Sequence, residues 1–182
     1  IGQHKSIASI LVYPQQSIGE QAHTVSLAPK VSKPSNGSVG IIGAGNFTKM
    51  TLLPALKDSG ATFKYIASAG GVNGTALAQK FNFEKSTTDY KSILEDQAVD
   101  TVIITTRHNT HAKFVCEALE KGIHVFVEKP LALNLFELEN IKNAYQQTNT
   151  SLMVGFNRRF SPHIQAIKAS LGESTAPINI VA

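Results

Sequence analysis

The feature that most constrains this chain is a glycine-containing turn set between two segments of different periodicity. Residues 39–42, Val-Gly-Ile-Ile, form a short apolar run of the kind a strand buried on both faces shows. Gly43-Ala44-Gly45-Asn46-Phe47-Thr48 follows directly. Met50, Leu52, Leu53 and Leu56 then recur at helical spacing, with Pro54 near the first turns of that helix. In a strand–Gly-x-Gly–helix arrangement the first glycine permits a tight turn. The second lets the backbone approach a pyrophosphate, which sits against the amides and the positive end of the helix. Thr48 takes the third position, usually Gly or Ala, where helix packs on strand. Residues 43–48, with Gly43, Gly45, Asn46 and Phe47 as the contacting set, are therefore the candidate dinucleotide phosphate loop.

The rest of the chain repeats the alternation. Strands are expected at residues 63–68, 99–105, 125–127 and 152–154, and helices at 76–81, 90–94, 112–121, 135–147 and 161–171. Thr87, Thr88 and Asp89 are capping candidates for the second of these helices, and Gly122 closes the third. The helix at 135–147 has its apolar face at Leu135, Leu138, Ile141 and Tyr145. Strands alternating with helices at short spacing require parallel pairing through right-handed crossovers. The expected fold class is α/β, a doubly wound parallel Rossmann sheet with helices on both faces. Residues 1–37 read differently. A strand is plausible at 7–13, ended by Pro14, and the remainder, rich in Ser, Gln, Pro and Lys, reads as tail and linker. A last apolar run, residues 178–181, reads as a strand cut short.

Composition narrows the function classes. With 182 residues, 42% hydrophobic and 16% charged, the chain can bury a core, which excludes global disorder. No apolar run approaches the roughly 18 residues needed to cross a bilayer, and residues 1–13 lack a cleavable signal-peptide core. A start at Ile1 reads as an excised piece of a longer protein. Cys116 is the only cysteine, so no internal disulfide is expected; its helical context suggests a buried core residue and fits the cytoplasm. The net charge is +4, but the lysines are scattered and Arg158-Arg159 is the only arginine pair. Neither nucleic acid nor membrane is the expected partner; the charge reads as solubility with a mild pull on anionic ligands.

Three further segments carry candidate chemistry. The residue that selects between ribose hydroxyl and ribose phosphate should lie at the end of the second strand, about 20 residues past the loop. Ser68-Ala69-Gly70-Gly71 stands there, with no carboxylate to hold a 2′-hydroxyl and no arginine to hold a 2′-phosphate. Ser68 can donate to a 2′-phosphate and nothing repels one, so the cofactor is expected to be NAD or NADP with a lean to NADP; a plain glycine-rich loop fits the same residues. Thr105-Thr106-Arg107-His108-Asn109-Thr110-His111 falls at the C-terminal end of a strand, the edge where doubly wound sheets bind ligands. Thr105, Thr106, Arg107 and His108 are candidate cofactor contacts, and His111 either a contact or a helix-start packing residue. Glu128-Lys129-Pro130 follows the next strand at the same edge. There Lys129 is poised to relay a proton to a substrate oxygen, against the alternative of a solvated surface lysine.

Four segments in order resemble the Gfo/Idh/MocA (glucose–fructose oxidoreductase/inositol dehydrogenase) family: residues 43–48, 105–111, 122–132 (Gly-Ile-His-Val-Phe-Val-Glu-Lys-Pro-Leu-Ala) and 155–160 (Gly-Phe-Asn-Arg-Arg-Phe). The likeness runs from Ser38 to about Phe160, and residues 122–132 are its most specific part. It implies a Rossmann domain over 38–156 and the beginning of a second, substrate-binding α/β domain at 157–182. It implies that Lys129 assists proton transfer at a carbinol, and that Glu128 and a turn at Pro130, often cis in the family, shape the nicotinamide pocket. Asn157 and Arg158 would lie near the cofactor at the domain junction. The implied partners are NAD(P) and a small sugar-like substrate, with homo-oligomerisation through the remainder of the second domain. Arg107 departs from the family's usual Pro and Ser68 from a common acidic residue, and the family's second catalytic group would fall beyond Ala182. Residues 7–14 and their linker also resemble, more weakly, the end of a zinc-type alcohol dehydrogenase module, which some bacterial proteins fuse ahead of such a domain. The tail has no metal-ligand cluster, so no metal is expected there, and His4 and His23 read as exposed.

Three readings follow: the cofactor-binding domain of an NAD(P)-dependent oxidoreductase acting on a secondary alcohol of a sugar or polyol, a non-catalytic dinucleotide-binding module, or the same fold holding another ligand such as S-adenosylmethionine. Glu128-Lys129-Pro130 favours the first over the third.

Overall fold

The computed structural model describes residues 23–27 and 37–172. The strand expected at 7–13, His4, the weaker resemblance at 7–14 and the strand expected at 178–181 lie outside them. The described strands are β1 (Thr24–Ser26), β2 (Ser38–Ile42), β3 (Thr62–Ala67), β4 (Lys85–Thr87), β5 (Thr101–Ile104), β6 (His124–Glu128) and β7 (Leu152–Gly155). The helices are α1 (Leu53–Leu56), α2 (Val72–Phe81), α3 (Lys91–Leu94), α4 (His111–Glu120), α5 (Leu135–Gln146) and α6 (Pro162–Leu171).

All seven strands join one sheet in the order β1-β4-β3-β2-β5-β6-β7, parallel except for β1. From β2 the chain winds outward to β3 and β4, then returns across to β5 and winds the other way. The loops after β2 and β5 therefore diverge and leave a crevice at the C-terminal edge. Residues 39–42 are buried throughout, as a strand covered on both faces requires. Side-chain alternation along the central strands divides the core. Val102 and Ile104 of β5 face α3, α4 and α5 together with Val115, Leu119 and Ile141. Ile103 joins Ile41, Leu53, Ile66 and Leu77 on the side of α1 and α2. Ile41, Ile66 and Ile104 are wholly inaccessible, and each such side chain contributes about 1.5–3 kcal/mol. A Cβ at Gly40 would come within 2.3 Å of Ile93 Cγ2, so only glycine lets α3 lie this close to β2.

Several local expectations are corrected. Residues 24–26 are not linker; they pair antiparallel with β4. β4 itself, Lys-Ser-Thr, has no apolar run to announce it, although Ser86 and Thr87 are buried. α2 begins at Val72 rather than 76, its start marked by Gly71 at φ 70°. The helix after the loop opens as a π-turn over Thr48–Leu52 before α1, and Met50 is exposed. The expected apolar face of α5 is not a buried one: Ile141 is covered, whereas Leu135 is 83% exposed and Leu138 and Tyr145 are exposed too. Periodicity marks a stripe but not what covers it. Cys116 is half-buried, packs against the core, and burial pushes its thiol up. No described helix is long and apolar enough to cross a membrane.

At the opposite, N-terminal side of the sheet Asp96 receives Tyr65 Oη at 2.9 Å, the Ala98 amide at 3.0 Å and Lys64 Nζ at 3.2 Å. Burial acts to raise its carboxyl, but these donors outweigh it and hold it below the usual carboxylate range. A depressed folded-state value stabilises the fold above the ordinary carboxylate range, and the contribution disappears as pH falls through the folded value. Asp96→Asn should accordingly flatten the acid limb of stability against pH, measured by urea denaturation from neutral to acid pH. An unaltered acid limb would refute the assignment.

Candidate functional site

The loop after β2 is built around Gly43. Its φ is 120°, and a Cβ there would meet Thr105 Oγ1 at 2.6 Å and the Thr105 carbonyl carbon and oxygen at 2.8 and 2.9 Å. The residue is glycine because the β2 and β5 loops touch backbone to backbone. Thr48 explains its own departure from Gly or Ala. It is wholly buried, and its hydroxyl lies 2.9 Å from the Gly43 carbonyl and 2.7 Å from Thr105 Oγ1, with Thr105 Oγ1 3.1 Å from that same carbonyl. This triangle ties the glycine loop to β5, and a Gly or Ala at position 48 would remove the two contacts that the Thr48 hydroxyl makes. Gly45 differs from Gly43, since a Cβ there would meet nothing within 4 Å. Its backbone faces open space at the crevice.

Two clefts flank this junction and share Thr105 and Thr106. The first, of about 530 Å³, is lined by Gly43 and Gly45, by Ser68 and Thr88, and by Tyr90, Arg107, Asn109 and Phe114. Arg107 is the only charged side chain in that lining. Ser68 Oγ accepts the Gly74 amide at 3.2 Å, and among the described residues its own proton has no acceptor. Tyr90 and Phe114 form a ring pair at 4.4 Å that floors the cleft. The second cleft, of about 300 Å³, is lined by Phe47, His108, Glu128, Lys129, Asn157 and Arg158, with His111 beneath. The Lys129–Pro130 peptide is cis. Glu128 Oε1 is buried and has no hydrogen-bond partner among the described residues. Gly155 permits this placement, since a Cβ there would lie 2.9 Å from that same oxygen.

The structure thus gathers the residues singled out from the sequence into two adjoining clefts, with two qualifications. Asn46 is exposed and lines neither cleft. His111 is fully buried, and its ring nitrogens face two carbonyls: Nδ1 lies 2.8 Å from Pro130 O and Nε2 3.1 Å from Thr106 O. It braces the 105–110 loop against the cis-proline turn and also belongs to the lining of the second cleft. His111→Leu should destabilise the chain by about 1–3 kcal/mol as a buried carbonyl loses its donor; a denaturation midpoint equal to that of the unaltered chain would contradict the brace. Thr88, Tyr90 and Phe114 escaped the sequence reading as cleft residues. The Gly71–Thr88 approach, 3.2 Å from a built Cβ to Cγ2, arises from a strand pairing that no local pattern announces. Among the described residues no group of three or more His, Cys, Asp or Glu side chains could hold a metal ion.

Comparison with known proteins bears on this geometry. The sequence model of a family described as an oxidoreductase family with an NAD-binding Rossmann fold matches residues 38–156. A levoglucosan dehydrogenase of Pseudarthrobacter phenanthrenivorans is 33% identical over 150 residues, which is 76% of this chain and 37% of that protein. The scyllo-inositol 2-dehydrogenase (NAD(+)) of Bacillus subtilis is 38% identical over 104 residues, 56% of this chain and 30% of that protein. Among solved structures, a levoglucosan dehydrogenase in complex with NADH and L-sorbose superposes with a TM-score of 0.64 at 34% identity, covering 71% of this chain and 36% of that one. KijD10, a 3-ketoreductase from Actinomadura kijaniata bound to NADP and TDP-benzene, superposes with a TM-score of 0.68 at 26% identity, covering 76% and 42%. The chain spans well under half the length of these relatives.

Proposed function

The chain belongs to the Gfo/Idh/MocA oxidoreductase family through its Rossmann domain, and from that membership we propose that it is the cofactor-binding part of an enzyme that moves hydride between NAD(P) and a secondary alcohol of a sugar or polyol. One observation carries the reading: the phosphate loop stands at the junction of two clefts, and Lys129 lines the second of them. A dinucleotide has two unequal halves joined by a pyrophosphate. The open face of Gly45 suits the pyrophosphate, the larger apolar cleft with Tyr90 and Phe114 suits the adenosine, and the smaller charged cleft suits the nicotinamide side. The buried, unpartnered Glu128 Oε1 fits a hydroxyl or amide donor brought by the ligand. The same clefts are the proposed site for Gly43, Gly45, Phe47, Ser68, Thr105, Thr106, Arg107, His108, His111, Asn157 and Arg158, and Asn46, exposed in the same loop, is a proposed contact outside them.

The nicotinamide, when bound, supplies the hydride chemistry. Oxidation of a carbinol also releases the hydroxyl proton, which needs a positioned acceptor. Lys129 Nζ is the group that would hold or relay that proton, while Arg158 in the same lining adds positive charge that favours an oxyanion. We further propose a preference for NADP. Ser68 has a free proton to donate, Arg107 is the single charge in the adenosine cleft, and no carboxylate there repels a 2′-phosphate. The relatives cited above include both NADH and NADP complexes, so this preference rests on these residues alone. Residues 157–172 fit the opening of a substrate domain, in a protein of the cytoplasm. Titration of the purified chain with NADPH and NADH, followed by reduced-nicotinamide fluorescence, tests the reading. Saturable binding, tighter for NADPH, is expected. Tighter NADH binding refutes the preference, and no binding of either refutes the function.

A further inference from the structure

Residues 23–27 lie outside the segment that matches the family, 38–156, yet they complete its sheet. Thr24, Val25 and Ser26 pair with Thr87, Ser86 and Lys85. The ladder is extended at both ends, by the Leu27 amide on Glu84 O at 2.8 Å and by the Thr88 amide on His23 O at 2.9 Å. Two side-chain contacts reinforce it: Thr24 Oγ1 donates to Thr87 Oγ1 at 3.0 Å, and His23 Nδ1 lies 3.2 Å from Thr88 Oγ1. Without this strand, β4 would be a three-residue edge of Lys-Ser-Thr, and such short polar edges hold their position weakly.

The consequence reaches the first cleft. Thr88 lines it. The Thr87 carbonyl accepts the Ser68 amide at 3.0 Å, and the Thr88 methyl abuts the turn at Gly71. A continuous set of contacts therefore runs from residues 23–27 through Thr87 and Thr88 to the 68–71 turn, the part of the cleft that faces the adenosine ribose under the reading proposed above. We infer that residues 23–27 are a strap that positions the adenosine wall of the cofactor site, so that a segment upstream of the family domain sets dinucleotide affinity. The strap touches no ligand itself; His23 and Val25 act through Thr88.

The inference rests on dinucleotide binding at this site, and the test separates the two. In the whole chain, Val25→Pro removes a ladder donor at the middle of the strand and leaves the cleft's own residues unchanged. Val25→Thr keeps the strand. Dissociation constants for NADPH and NADH are measured well below each variant's unfolding temperature, alongside hydrogen exchange at the Thr88 amide. Val25→Pro should speed exchange at Thr88 and weaken binding by about threefold to tenfold, the scale of one well-placed hydrogen bond, while Val25→Thr binds like the unaltered chain. A purely structural strand would lower the unfolding temperature and leave affinity unmoved, which overturns the inference. Unchanged exchange at Thr88 overturns it as well. Should Val25→Pro unfold the chain, His23→Ala, which deletes only the side-chain contact to Thr88, serves in its place: an affinity loss of about twofold supports the strap and an unchanged affinity overturns it. If the unaltered chain binds neither nucleotide, the function proposed above fails and the strap's role fails with it.

Discussion

Replacement of Lys129 by alanine is expected to lower turnover by roughly 10²- to 10⁴-fold, the usual range for a lost acid–base group, with little change in dinucleotide affinity. The side chain lines the smaller cleft beside Glu128, Asn157 and Arg158, and it follows β6 at the edge where the sheet opens. Its backbone is held from below by the bond between His111 and Pro130 O, so the variant removes the amine and not the turn. Turnover is to be measured on the protein that carries this chain, with polyol or sugar alcohols as donors and NADP or NAD as acceptor. Lys129→Arg keeps the charge but cannot exchange a proton near neutral pH, and it should stay near the alanine variant if proton relay is the role. Unchanged turnover in Lys129→Ala would overturn the catalytic assignment and return the chain to the class of dinucleotide-binding modules without chemistry.

The second large effect separates two glycines of one motif. Gly43→Ala forces a Cβ onto the backbone of Thr105 at φ 120°. Strain of about 1–3 kcal/mol adds to overpacking of similar size, so the chain should lose about 2–6 kcal/mol of its stability. That is a large share of the roughly 5–15 kcal/mol available to a domain. Gly45→Ala meets no atom within 4 Å and should leave the unfolding midpoint in place. Its cost should appear instead in NADPH and NADH titrations, because the added methyl projects into the space that the proposed pyrophosphate needs. Equal loss of stability in both variants, or equal affinity in Gly45→Ala and the unaltered chain, would contradict this division.

Much of the architecture was legible because buried parallel strands and amphipathic helices write their periodicity into adjacent residues. Val102, Ile103 and Ile104 could be read as a buried strand without knowing their neighbours. The reading failed where pairing rather than pattern decides. β1 lay inside a stretch of linker-like composition, and β4 is three polar or charged residues; each is a strand because the other, or β3, is beside it. The stripe on α5 was read correctly as apolar, but its periodicity does not say that only Ile141 is covered.

The candidate site divides along the same line. Local sequence singled out the candidate residues: the glycine loop, the run at 105–111, Lys129 after its strand, and a selector position at Ser68 without a carboxylate. Only the tertiary structure decided what each of them faces. It set His111, a contact or a packing residue by sequence, between two carbonyls, and it gave Thr48 a reason in the hydroxyl of Thr105. It also placed Thr88, with residues 23–27 behind it, on the wall of the larger cleft. The physical reason is range. Periodicity and turn chemistry act over a few residues and survive in the sequence. The contacts that shape a cleft join positions some 60 residues apart, such as Thr48 with Thr105 or His23 with Thr88, and exist only once the sheet has brought them together.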